Sequence, residues 1–215
     1  MSTLAGTRVL VIGRASGIAR AVVDAAMADG AHVVVAGRDR AKLADLAARL
    51  GHIDHVVTTA SARARGRIAD LQPETIALSS ATKAIGAILL AKHLAPIMPP
   101  TGSFVLSSGA TALRPSIGML AVGGTNGAVD SIARGLAVEL APIRVNAVAP
   151  GTVDTGAYDA LGADVKAELF ERRSAGNPAG RVGRATDVAQ AVVFALTADF
   201  VTGLSIPVDG GELLA

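Results

Sequence analysis

Short apolar runs alternate along the chain with longer segments whose apolar residues recur every three or four positions. Val9–Ile12, Val33–Ala36, His55–Thr59, Ser103–Leu106, Arg144–Val148 and Leu204–Val208 are the short runs. They are Val-rich and predict buried strands. Gly17–Asp29, Arg40–Leu50, Pro73–Pro96, Ala121–Leu140 and Asp187–Leu196 carry helical periodicity. Ile18, Ala21, Val22, Ala25 and Ala26 share one face of the first helix; Leu43, Leu46, Ala47 and Leu50 share one face of the second. Gly30 and Gly51 stop these helices, as suits the left-handed turn beyond a helix. Pro73 opens the third and Pro96 closes it. Thr152–Gly183 is polar and glycine-bearing. It predicts a substrate loop with a helix from about Ala163 to Arg173.

Strands alternating with helices imply an α/β fold: a doubly wound parallel sheet covered on both faces, with ligands beyond the strands' carboxyl ends. A chain of 215 residues fits this as a single domain with a full core.

Composition narrows the chemistry. Hydrophobic residues make up 51% of the chain but aromatics only 2%, so the core is built from Ala, Val, Leu and Ile. Without cysteine there are no disulfides, no thiolate catalysis and no Cys-ligated zinc. The four histidines lack metal-ligand spacing, and no metal is expected. A net charge of +2 with no Lys/Arg block argues against nucleic acid. Met1–Gly6 has no signal architecture, and no apolar run approaches the ~18 residues of a membrane span. A cytoplasmic protein is the expectation.

Candidate chemistry begins at Val9-Leu10-Val11-Ile12-Gly13-Arg14-Ala15-Ser16-Gly17-Ile18. A strand, a glycine turn and a helix start aim backbone N–H groups at one point, which suits a diphosphate. Gly13 permits the tight turn and Gly17 the close approach, with Ser16 and Ile18 beside them. An ordinary strand-to-helix turn is the alternative. The second strand ends in Gly37-Arg38, where an acid would serve a free ribose hydroxyl. The Arg38 guanidinium suits a 2′-phosphate and Arg14 adds a second cation, which favours NADP(H). Asp39 dissents, and both arginines could instead be solvated.

Farther on, Val138-Glu139-Leu140-Ala141-Pro142-Ile143-Arg144-Val145-Asn146-Ala147-Val148-Ala149-Pro150-Gly151 resembles a typical segment of the short-chain dehydrogenase/reductase family. Asp187-Val188-Ala189, Val201-Thr202-Gly203 and Val208-Asp209-Gly210-Gly211 resemble its tail. The resemblance implies a nicotinamide cofactor and a homodimer or homotetramer, with Pro73–Pro96 and Ala121–Leu140 at one dimer contact. It implies that the loop from Pro150 and Gly151 closes over the nicotinamide, with Val153 near the carboxamide and Thr155 near the phosphates. Thr58-Thr59-Ala60-Ser61 stands where the family has Asn-Asn-Ala-Gly, which makes Thr59 and Ala60 candidate cofactor contacts.

The departures fall on the chemistry. The family's Tyr-x-x-x-Lys pair aligns with Val122 and Asn126, and its catalytic Asn with Lys83. Ala19 replaces the third loop glycine. The stretch before His55 is too short for the family's third strand and a helix, including the Asp that lines the adenine pocket. A divergent, NADPH-binding subgroup without Tyr and Lys is similar, including the Thr82-Lys83 pair before Gly86. Ser107-Ser108 stands at the place of the family's catalytic serine, and either hydroxyl, Ser108 foremost, could hold a substrate carbonyl or simply finish a strand-end turn. Lys83 is the best substitute proton donor, since burial lowers an ammonium's pKa; the alternative is a surface lysine. Tyr158 lies in the substrate loop, and His93 suits a structural role or the dimer contact. Arg63, Arg65 and Arg67 could meet an anionic substrate or sit in a solvated loop. Two functions follow. One is an NADP(H)-dependent oxidoreductase reducing a small carbonyl or quinone with an atypical active site. The other is a catalytically inactive NADP(H)-binding regulatory or structural protein.

Overall fold

A computed structural model of the chain describes residues 3–13, 16–37 and 51–215. In chain order the elements are β1 (Arg8–Ile12), α1 (Gly17–Ala28), β2 (His32–Ala36), β3 (His55–Thr58), α2 (Pro73–Ile97), β4 (Ser103–Ser107), α3 (Leu120–Glu139), β5 (Arg144–Pro150), β6 (Val153–Asp154), α4 (Ala163–Ala175), β7 (Gly183–Arg184), α5 (Ala185–Thr197) and β8 (Ser205–Val208). Six strands form one parallel sheet in the order β2-β1-β3-β4-β5-β8, the doubly wound sheet expected from the pattern. The chain runs outward from β1 to β2 and then crosses back to β3. That reversal opens a crevice at the carboxyl ends of β1 and β3.

Successive strand residues point to opposite faces, so each strand feeds two cores. Val9, Val11, Val57 and Val105 pack with Ala19, Val22 and Ala26 of α1 and Val188, Val192 and Leu196 of α5. Leu10, Val56, Phe104 and Leu106 pack with Ala87 and Ala91 of α2 and Val129 and Ala133 of α3. Alanine on the helix faces brings backbones close to the sheet, so a chain nearly without aromatics still fills its interior.

Among the described residues, no strand lies between β2 and β3 and β2 is the sheet edge, where Val35 is 44% exposed. The expected helix Arg40–Leu50 lies outside the described residues, as do Arg14, Arg38 and Asp39.

Two features exceed the sequence reading. The segment after β5 is not all loop: β6 pairs with β7, Val153 opposite Gly183, and closes that excursion at its base. No apolar run announces a ladder of two residues per strand. The helix expected over Pro73–Pro96 is interrupted by a π-helical turn at Ala81–Ile85. By length and composition Pro73–Ile97 is apolar enough to cross a bilayer. Counting unbroken runs missed this, because Ser79, Ser80 and Thr82 break the runs. Ala87 and Ala91 of this helix face the sheet, while Ile76, Leu78, Ile85, Ile88 and Leu89 are exposed.

Candidate functional site

The loop after β1 is shaped by what leaves no room for side chains. A Cβ at Gly13 would lie 2.1 Å from the Thr59 hydroxyl. At Gly17, whose φ of +56° already favours glycine, it would lie 3.0 Å from the Thr155 carbonyl. Backbone bonds Gly13 N–H to Ala36 and Thr59 N–H to Ile12 bind the loop to both neighbouring strands. Gly13, Gly17, Thr59 and Thr155 are therefore neighbours, with the exposed Ser16 and the half-buried Ile18 at the start of α1. The first turn of α1 carries no acid, so its N–H groups and dipole are left free to attract an anion. Gly151 N–H bonds Val208, and Val153 is buried in the β6–β7 ladder. A cavity of about 370 Å³ opens at the crevice, lined by Ile12, Thr58, Ala60, Thr82, Gly86 and Leu90 among others. Its walls are almost wholly apolar.

Beside this cradle lies a polar network built on α2, β4 and α3. The Lys83 ammonium donates to the Ser108 carbonyl at 2.9 Å and to the Asn126 side-chain oxygen in a shorter bond. The Asn126 amide donates to the Thr111 hydroxyl at 2.8 Å, and the Ser108 hydroxyl donates to the Asn126 carbonyl at 3.2 Å. Ser108 and Asn126 are buried, and Ser108 N–H is fixed to Val148 at the end of β4. The π-helical turn places its own Thr82 on the cavity wall and Lys83 on this network; such turns are frequent at functional sites. Burial first, then the nearby Arg63 guanidinium, and against them Asp130, bring the Lys83 pKa down to about 8. The shift leaves an amine that can give up its proton near neutrality.

The π-helical turn thus brings together Lys83 and Ser108, which the sequence singled out, and adds Asn126 and Thr111. The sequence signal for Asn126 was present, because the family resemblance aligns it with the family's lysine. Nothing marked Thr111. Val122, one helical turn before Asn126, is half-buried. Burial is the first cause of a lowered pKa at Arg63, followed by Arg65, with Tyr158 opposing. Arg63 therefore stands on the side where the segment after β5 passes. Tyr158 packs edge-on against Phe170 of α4, with ring centres 5.4 Å apart. Of the four histidines, His93 lines the cavity and His55 lies at the opposite end of β3, bonded to Ser103 at 2.9 Å. No group of three or more metal-ligating side chains occurs among the described residues.

A family model described as enoyl-(acyl carrier protein) reductase matches residues 40–212. The short-chain dehydrogenase/reductase malC of Malbranchea aurantiaca is 30% identical over 98% of this chain and 96% of its own length. A protein of Xanthobacter autotrophicus named inactive 2-(S)-hydroxypropyl-CoM dehydrogenase 2 is 34% identical over 96% of this chain and 95% of its own. A crystal structure of a small-chain dehydrogenase in complex with NADPH superposes with a TM-score of 0.90 at 33% identity, covering 97% of this chain and 99% of that one.

Proposed function

This chain belongs to the short-chain dehydrogenase/reductase family, and on that premise we propose that it is an NADPH-dependent reductase of a small carbonyl or quinone, divergent in lacking the family's Tyr and Lys, with Lys83 as proton donor. The observation that carries this reading is the buried Lys83 ammonium, tethered to Ser108 and Asn126 beside a dinucleotide-shaped cradle.

The residues present fit the cofactor. Gly13 and Gly17 let the loop close tightly on Thr59 and Thr155, and the bare N-terminus of α1 beside them attracts phosphate. Gly13, Ser16, Gly17 and Ile18, with Thr155 beside them, would hold the pyrophosphate, Thr59 and Ala60 the adenosine side, and Pro150, Gly151 and Val153 the nicotinamide half. The apolar cavity beside Ala60 suits an aromatic base. Arg14 and Arg38 would take the 2′-phosphate, a role resting on the sequence; the NADPH in the superposed structure supports it. Bound there, the cofactor supplies a hydride.

The chain's own residues then handle the substrate. An ammonium has three N–H donors, and two of Lys83's are committed. The third serves a substrate oxygen, and the neutral amine left after transfer is tolerated because burial already disfavours the charge. Positioned acids contribute about 10²–10⁴-fold. The Ser108 hydroxyl, held only by a 3.2 Å bond, turns toward the same oxygen and orients it. A quinone accepts hydride with little acid assistance and suits a site without a phenol. Exposed Ile88 and Leu89 on α2, and Phe194, Phe200 and Leu204 near α5 and β8, offer two apolar faces for a homodimer or homotetramer.

Val122 in the tyrosine place, and a relative named as inactive, favour a second reading: a non-catalytic NADP(H)-binding protein. Calorimetric titration with NADPH and NADH, followed by NADPH oxidation against quinones and aldehydes, separates the two. Tight NADPH binding weakened by Arg38→Ala, with turnover, is expected. Binding without turnover supports the second reading, and no binding of either nucleotide contradicts both.

A further inference from the structure

The Glu212 carboxylate is where three distant segments meet. Its Oε2 accepts the Thr152 N–H at 2.7 Å, and its Oε1 accepts the Thr152 hydroxyl at 3.2 Å and Arg173 Nη1 at 3.1 Å. The Arg114 guanidinium donates to its backbone carbonyl. The glutamate side chain is only 13% exposed, whereas Arg173, in the last turn of α4, is 43% exposed. The fit leaves no slack: a Cβ at Gly151 would lie 2.6 Å from Oε2 and 2.7 Å from the Asp209 Cβ.

The glutamate is itself held firmly. Asp209 accepts the Gly211 and Leu213 N–H groups, and Gly210 and Gly211 take positive φ values of 65° and 88°. The turn is locked to the connection after α4, because the Asn177 amide donates to the Asp209 carbonyl and Ala179 N–H to Gly210. A rigid turn at the end of β8 thus presents one carboxylate to both the loop after β5 and α4.

We propose that Glu212 is a positioning residue that couples the loop holding Thr155 to helix α4, so that filling the dinucleotide cradle tightens the substrate side. The ligand's identity rests on the reading above. Thr155 abuts Gly17 at the mouth of the cradle, three residues from Thr152. A phosphate settling at Gly17 fixes that loop, the loop fixes the carboxylate, and the carboxylate fixes Arg173. Lys166 also ties the N-terminal half of α4 to Asp154 and Asp159, but its partners are exposed and such pairs couple weakly. The effect of Glu212 is therefore confined to the last turn of α4.

Amide hydrogen exchange on the whole chain, with and without NADPH, tests this. In the native protein NADPH is expected to slow exchange at 151–155 and in the last turn of α4. Glu212→Gln keeps a carbonyl for Thr152 N–H but loses the charge facing Arg173. It should retain the first protection and lose the second, as should Arg173→Ala, with NADPH affinity within about twofold of native. Glu212→Ala should lose both and bind NADPH about tenfold more weakly. Unchanged exchange of α1 and α5 in the variants shows that the fold is intact. Undiminished protection of α4 in Glu212→Gln and Arg173→Ala overturns the coupling, as does a native α4 insensitive to NADPH while 151–155 responds. If no segment of the native protein responds to NADPH, the dinucleotide reading fails and takes the coupling with it.

Discussion

The Lys83 ammonium of α2 is hydrogen-bonded to the Asn126 side chain of α3, so a cation and an amide on two facing helices are directly joined. Both also bond Ser108, Lys83 donating to its carbonyl and the Asn126 carbonyl accepting from its hydroxyl. The resemblance sets Lys83 and Asn126 at the places of the family's Asn and Lys and Val122 at that of its Tyr, which leaves three polar groups for four, and in the proposed reading the ammonium serves as the acid.

Asn126→Asp replaces a neutral acceptor of the Lys83 ammonium with an anion. An opposite charge at bonding distance favours the charged amine, so the Lys83 pKa of about 8 should rise toward its ordinary value. The pH profile of turnover should move alkaline by about 1 unit or more. An unmoved profile would remove Lys83 from the proton-transfer role.

His55 predicts a stability effect remote from the site. Burial lowers its pKa from 6.5 to about 4, against Asp54 and together with Arg144. The folded state binds this proton less tightly than the unfolded chain. Stability is therefore full above pH 6.5 and is lost as pH falls toward 4. The loss amounts to about 3 kcal/mol, measurable by denaturant unfolding across that window. His55→Gln should flatten the dependence.

Gly17→Ala places a Cβ against Thr155 in a backbone conformation costly for alanine, by about 1–2 kcal/mol. It should lower the melting temperature modestly and weaken NADPH binding by about tenfold or more, read by calorimetry. A variant that binds as tightly as the native protein would place the pyrophosphate elsewhere.

Leu89→Glu puts a charge on the exposed apolar face of α2. Light scattering should report a native homodimer or homotetramer and a smaller particle for the variant, with unchanged circular dichroism. A native monomer would leave that face to a different partner.

Much of the fold was legible because its signals are local. Four apolar residues ending at Gly13, and an Ala-lined helix after them, announce β1 and α1 without tertiary help. Leu10 and Phe104 carry the same strand signal on the other face. Gly17 was legible as a glycine of the strand-turn-helix motif, but its positive φ and its close fit against Thr155 were not, since they depend on a loop 138 residues away. The π-helical turn was not, since Ala81–Ile85 continues the helical pattern with no Pro or Gly to mark a change of winding. Thr111 and Glu212 were missed because their roles depend on partners 15 and 60 residues away in sequence. The β6–β7 pair was missed because two-residue strands have no period.

The most direct test is single-turnover oxidation of bound NADPH by a reducible aldehyde, followed through pH 8 in the native protein and in Lys83→Met. The native rate should be level below pH 8 and fall above it as Lys83 loses its proton, and Lys83→Met should be slower by about 10²-fold or more with no break near that pH. A Lys83→Met rate equal to the native one, with the same pH profile, would contradict Lys83 as the proton donor.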